Sequence, residues 1–226
     1  PNAGARLPST RADAALTRLD QKVAPIQRMR HMPGSAIEIG VQVAAEINNG
    51  LPIGQRLGAT ESSALTSEER AIFLDAQALQ LRGTLFRLKG QPAAARGLFE
   101  QSMTDVLAVR DGRVLSVIRL RSQILAEMGL ALEDEGDGGG AEAKMRESVA
   151  LLETRYPQSV AVNGARARLA ALLARSGKAD AAMAEYQLVT RSLAQSQSAT
   201  AGLGNVLSPY LALLAERMDA NPGLGA

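Results

Sequence analysis

The chain has 226 residues, no cysteine, no tryptophan, and 3% aromatic against 46% hydrophobic side chains; 25 basic and 23 acidic residues leave a formal charge of +2. These values exclude disulfides and thiolate metal sites. The 21 arginines are scattered rather than clustered with aromatics, which argues against a nucleic-acid surface, and no apolar run approaches the length of a membrane span. A palette rich in alanine and leucine suits closely packed helix pairs better than a β-sandwich or barrel.

The opening residues, Pro1-Asn2-Ala3-Gly4-Ala5, carry neither an initiator methionine nor a signal h-region. They read as the start of a trimmed or processed chain and leave the compartment open, cytoplasmic or exported. Ser9 or Thr10 can cap a first helix running to about Arg30, with Ala15, Leu16, Leu19 and Val23 as its apolar stripe and Pro25 as a point where it kinks or ends early. Met32-Pro33-Gly34 breaks the pattern, a second helix spans about 35 to 48, and residues 50 to 66 are a loop of Gly, Pro, Ser and Thr. Thr66 or Ser67 then caps a new helix whose first turn holds Glu68 and Glu69, carboxylates placed at its positive end.

From there the pattern predicts helix pairs at 68–89 with 92–109, 113–135 with 139–155, and 158–175 with 178–195. Pro92 suits the first turn of its helix, where the missing N–H costs nothing. Residues 195 to 204 form a polar hinge, and Pro209 begins a last helix to about Ala220 whose Val206, Leu207, Leu211 and Leu214 need cover. The ending at Asn221-Pro222-Gly223 reads as a cut.

The three pairs share a frame. Gly90, Gly136 and Gly177 stand at the reversals, where a positive φ is most often needed. Seven residues before each is a very small one (Gly83, Gly129, Ala170), which lets the neighbouring helix approach, and four before is a bulky one (Phe86, Leu132, Leu173). Alanine follows five residues later (Ala95, Ala141, Ala182), and a large knob nine later (Phe99, Met145, Tyr186).

This order of small, bulky, glycine, alanine, large resembles the tetratricopeptide (TPR) repeat. Residues 68 to 195 carry the resemblance. They depart from it in lacking the tryptophan, in Met145 and the glycine run 136–140 of the middle unit, and in a closing proline that is plain only at Pro157. The turn glycines lie 46 and 41 residues apart, where the standard repeat has about 34, and helices longer by two or three turns absorb the surplus. The resemblance implies an all-α, right-handed superhelical array of TPR-like hairpins. Residues 1–60 would form a divergent N-terminal helical pair, 61–199 the three repeats, and 200–226 a C-terminal half-repeat.

No residue set specifies catalysis. His31 is the only histidine and lacks an oriented partner and nucleophile. The glycine run 136–140 is followed by no Lys-Ser/Thr and preceded by no strand, so it reads as a helix–helix turn rather than a phosphate cradle. Glu133-Asp134-Glu135-Gly136-Asp137 lacks the alternating spacing of a calcium loop. Neither a cofactor nor a metal is expected.

In TPR arrays the first helix of each pair lines a concave face that takes a protein or peptide partner. Carried onto this sequence, that face comprises Gln77, Gln80, Thr84 and Arg87; Gln123, Glu127, Leu130 and Glu133; and Arg168, Ala171 and Arg175. It is a mixed polar surface suited to an extended peptide or a helix. The clamp that holds chaperone tails is not matched, because its places fall on Gln80, Thr84, Glu127, Gly164 and Arg168, and Glu127 would repel a carboxylate. Finally, residues 185–189 and 207–216, on either side of the hinge, resemble the junction before the peptidase domain of bacterial CHAT proteins, which are caspase-fold peptidases preceded by TPR arrays. That implies a regulatory, non-catalytic N-terminal part of a larger bacterial protein, with the Cys/His chemistry beyond residue 226. A self-assembling scaffold, stacking through exposed array ends, and an all-α enzyme are the alternatives.

Overall fold

The computed structural model describes residues 9–29, 65–157, 159–195 and 208–215, and among these every regular element is helical. Two compact units divide the chain, Pro1–Asp137 and Gly138–Ala226. The first holds α1 (Ser9–Met29), α2 (Ser67–Leu88), α3 (Pro92–Ala108), a single 3₁₀ turn (Arg110–Gly112) and α4 (Leu115–Asp134). The second holds α5 (Gly138–Arg155), α6 (Val160–Arg175), α7 (Ala179–Gln195) and α8 (208–215). The helix expected at 35–48, His31, and most of the 50–66 loop and of the hinge lie outside the described residues.

In the first unit consecutive helices pack on one another, α1 on α2, α2 on α3 and α3 on α4, and α2 also touches α4. α1 continues through Pro25 to Met29 instead of stopping there. The proline sits close to the helix end, so the backbone bond it removes is one of the last. Of the two candidate caps for α2, Thr66 is the one used. Its hydroxyl accepts from the Glu69 N–H at 3.1 Å and its own N–H donates to Glu69 Oε2 at 2.9 Å, a reciprocal capping box. Alanine in place of Thr at such a cap typically costs about 1 kcal/mol.

The shared frame acquires a physical meaning in the turns. Gly90, Gly136 and Gly177 have φ of 79°, 87° and 74°, the left-handed region in which a Cβ is penalised. Each donates its N–H to the carbonyl three residues back, while the next residue donates to the carbonyl of the bulky residue four before the glycine. The second bond runs from Gln91 to Phe86 at 3.0 Å, from Asp137 to Leu132 at 2.9 Å and from Lys178 to Leu173 at 2.9 Å. Three turns thus end their helices with one hydrogen-bond pattern, the Schellman motif. The alanines at +5 and the knobs at +9 (Phe99, Met145, Tyr186) are all buried.

Phe99 shows why the small residue is required. A Cβ built on Gly83 would lie 2.4 Å from Phe99 Cε1, so α3 rests on α2 with no room for even a methyl group. Around this contact the core of the first unit gathers Ala76, Ala95, Val106, Val109, Val117, Leu120 and Ile124. Ser102 Oγ, also buried, donates to the Ala76 carbonyl at 2.7 Å and ties α3 to α2 without an orphaned hydroxyl.

The helices of the six-helix region run 22, 17, 20, 18, 16 and 17 residues, so helix length accounts for the wide spacing of the glycines. The glycine run does not form an open loop: Gly138 to Gly140 make the first turn of α5. In the second unit α5 packs on α6 and α6 on α7, and Ser159 caps α6 by accepting from the Val162 N–H at 3.3 Å. Arg166 on α6 joins Glu153 on α5 to Glu185 on α7. Burial pulls the Arg166 pKa down, and the hydrogen bonds to the two carboxylates outweigh it, leaving it raised.

Candidate partner-binding face

In the first unit α2 and α4 lie side by side, and their join is polar. Arg87, in the last turn of α2, reaches Glu127 on α4 at 3.4 Å and Asp134 at 3.2 Å. Lys89 and Arg82, on another side of α2, are taken by Asp13 and Asp20 of α1. Arg96 on α3 pairs with Glu135 at 2.8 Å. The acidic end of α4 is therefore matched by basic side chains, and among the described residues no group of three or more His, Asp or Glu could hold a metal.

Positions counted back from the turn glycine sort themselves by exposure. Thirteen before, Gln77 and Gln123 are exposed. Nine before, Leu81 is 45% exposed, Glu127 is half-buried and Arg168 is exposed. Six before, Thr84, Leu130 and Ala171 are half-buried, as are Arg87 and Glu133 three before. Arg175, two before Gly177, is exposed.

Gln80 departs from this face. It stands ten before Gly90 and is only 8% exposed, and its counterparts Ala126 and Ala167 are buried too. One residue turns a helix by about 100°, so ten before points inward where nine before points out. The Gln80 amide satisfies itself locally: Nε2 donates to Thr84 Oγ1 at 3.1 Å, and Thr84 Oγ1 donates to the Gln80 carbonyl at 3.2 Å. The sequence pattern missed Leu81, the residue that occupies the outward position in α2. The signal was present, since Leu81 has the same offset as Glu127 and Arg168.

The first unit thus presents Gln77, Leu81 and Gln123 outward over a half-buried row of Thr84, Leu130, Arg87, Glu127 and Glu133. Such a surface offers amide donors and acceptors flanking one apolar side chain, with Arg87 paired across the helices to Glu127 and Asp134. In the second unit α6 carries Arg168 and Arg175 on its exposed side, above Gly164 and Ala171, and a Cβ at Gly164 would meet nothing within 4 Å. α6 has three arginines and no carboxylate.

A different kind of polar cluster holds the corner between α3 and α4. Arg110 and Asp111 have φ of 48° and 55°, and Gly112 follows at 69°. Left-handed backbone at two non-glycine residues costs roughly 1–2 kcal/mol each, and the surroundings hold it in place. Arg110 donates from Nε and Nη2 to the two Glu69 oxygens at 2.7 and 2.6 Å, while Arg121 Nη1 donates to the Gly112 carbonyl at 3.1 Å. The Arg110 hydrogen bond holds the Glu69 carboxyl below its ordinary range, and Glu69 raises the Arg110 pKa in return.

No protein-family model matches this chain, and no curated protein matches it either.

Proposed function

We propose that this chain is a right-handed array of TPR-like helical hairpins that recognises another protein and performs no chemistry itself. The observation that carries the reading is the identity of the three turns: the same positive-φ glycine and the same pair of backbone bonds recur in the same sequence frame. Repeated hairpins of this kind leave the first helix of each pair open to a ligand. The partner surface is the α2–α4 face, with Gln77, Leu81 and Gln123 as its exposed side chains and Arg87, Glu127 and Asp134 fixing the two helices against each other. An extended peptide satisfies it best, because outward amides pair with main-chain groups whatever the peptide's sequence, and Leu81 supplies one apolar anchor. The resemblance of the residues around the hinge extends the proposal to a regulatory role beside a CHAT-type peptidase domain in a larger bacterial protein.

Panning a random peptide library on the full chain tests the face. A recovered sequence family is expected to lose about tenfold or more in affinity in a Gln77→Arg, Gln123→Arg double variant and to bind a Leu188→Ser variant normally, since Leu188 is exposed on α7 in the other unit. Peptides indifferent to the double variant would overturn the assignment of the face. Mass that climbs with concentration in light scattering, with no peptide family recovered, would favour assembly of the array with itself.

A further inference from the structure

Tyr186 on α7 takes the frame position that Phe99 takes in α3 and Met145 in α5, and all three side chains are buried. Only Tyr186 brings a polar atom there. Its hydroxyl is sealed from solvent and has no hydrogen-bond partner among the described residues. An unmatched buried phenol is a worse choice than phenylalanine, because the hydroxyl has given up water and received nothing. Over the ring lies α8: Tyr210 tilts onto it with centroids 5.0 Å apart and planes at 33°. α8 also buries Leu213, whereas Leu211 is 62% exposed. The resting occupant therefore satisfies the apolar half of Tyr186 and leaves the polar half unmatched. Burial pushes the phenol pKa up, and the positive charge of Arg175, at the end of α6, opposes that shift. A hydroxyl donor in the field of a guanidinium suits a carboxylate, since charged acceptors make the stronger hydrogen bonds.

We infer that the α7 face around Tyr186 is a docking seat for an amphipathic helix of a partner protein bearing a carboxylate opposite the hydroxyl, and that α8 fills the seat until that partner arrives. The incoming carboxylate accepts the Tyr186 O–H, and Tyr210 leaves with α8. A second copy of this chain is not the favoured occupant: its α8 brings the same Tyr210, and a ligand with no differential affinity shifts no equilibrium. The seat belongs to the second unit and the α2–α4 face to the first, so either can fail without the other.

The test uses the full chain, its Tyr186→Phe variant and two fluorescein-labelled synthetic peptides. One peptide has the sequence of residues 205–217, and the other has the same sequence with Tyr210→Glu. In fluorescence anisotropy the glutamate peptide is expected to bind the parent chain about tenfold more tightly than the native peptide, the worth of one charged hydrogen bond. That preference is expected to vanish in Tyr186→Phe, which should itself melt no lower than the parent. Equal binding of the two peptides, binding of neither, or a preference that survives in Tyr186→Phe overturns the inference. A Tyr186→Phe chain that melts below the parent also overturns it, because the hydroxyl would then be satisfied at rest.

Discussion

The hairpins α2–α3 and α6–α7 obey one frame but fill it differently. In the first, glycine faces phenylalanine, and the two helices meet with no space for a Cβ between them. In the second, Ala170 and Tyr186 occupy the corresponding places, and both are fully buried. The same backbone frame therefore holds contents of different volume: a Gly floor under a Phe ring in one hairpin, and the larger Ala and Tyr in the other, where Tyr210 of α8 lies against the ring. What the two share is backbone, namely the turn; what differs is side-chain volume.

The largest effect should come from emptying the tighter site. Phe99→Ala is expected to lower stability by about 3–5 kcal/mol in denaturant titration, because the ring touches Gly83 directly and sits within the Ala76–Ala95–Val106 cluster. A loss under about 1 kcal/mol would mean the cluster collapses around the gap. Next come the floors. Gly83→Ala gains about 1 kcal/mol in helix propensity, yet places a methyl group 2.4 Å from the Phe99 ring. The clash should win, leaving a net loss of about 2 kcal/mol. The mirror change, Ala170→Gly, carries no clash and should cost about 1 kcal/mol from propensity alone. Gly83→Ala proving stabilising in thermal melts would show that α3 can slide, and the contrast between the hairpins would be lost.

The smallest effect sharpens the comparison at the corner that follows the first hairpin, where Arg110 and Asp111 have positive φ. The Glu69 pKa is lowered in the folded protein, so its contribution is present above its unfolded value near 4.5 and fades as pH falls through the lower folded value. Glu69→Gln should therefore melt below the parent at pH 7, with the gap closing below about pH 4.5. A gap constant with pH would show that the Glu69 carboxylate charge carries none of the difference, against the lowering that Arg110 and the Thr66 cap both produce. No such pH-dependent partner change is expected from Ser159, which caps α6 with a hydroxyl.

The sequence was most readable where geometry is imposed by the backbone. Positive φ at Gly90, Gly136 and Gly177, burial at the +5 and +9 places, and the start of α2 near Thr66 all follow from rules that act within one turn. Gln80 was misplaced although the offset of nine shared by Leu81, Glu127 and Arg168 was there to read, because the distinction between an inward and an outward place is a single residue. Arg110 and Asp111 were not readable either, since nothing local asks for left-handed backbone at two charged residues; the cause is Glu69, 41 residues away. The pairing of α1 with α2 through Asp13, Lys89, Asp20 and Arg82 likewise depends on tertiary approach across 62 and 76 positions. The glycine run was legible as well: the helix expected from 139 begins at Gly138, and Gly136 makes the turn before it.

The Schellman turns closing α2, α4 and α6 also act as a ruler. Each ties its glycine and the residue after it back to the end of the preceding helix, and does so with main-chain bonds that make no demand on sequence elsewhere. Helix ends remote from the glycine are then free to lengthen or shorten without disturbing what is measured from it. The unequal intervals of 46 and 41 residues between these glycines need not be a decayed repeat. They are what a chain permits when its turns are closed by bonds that reach back little more than one helical turn.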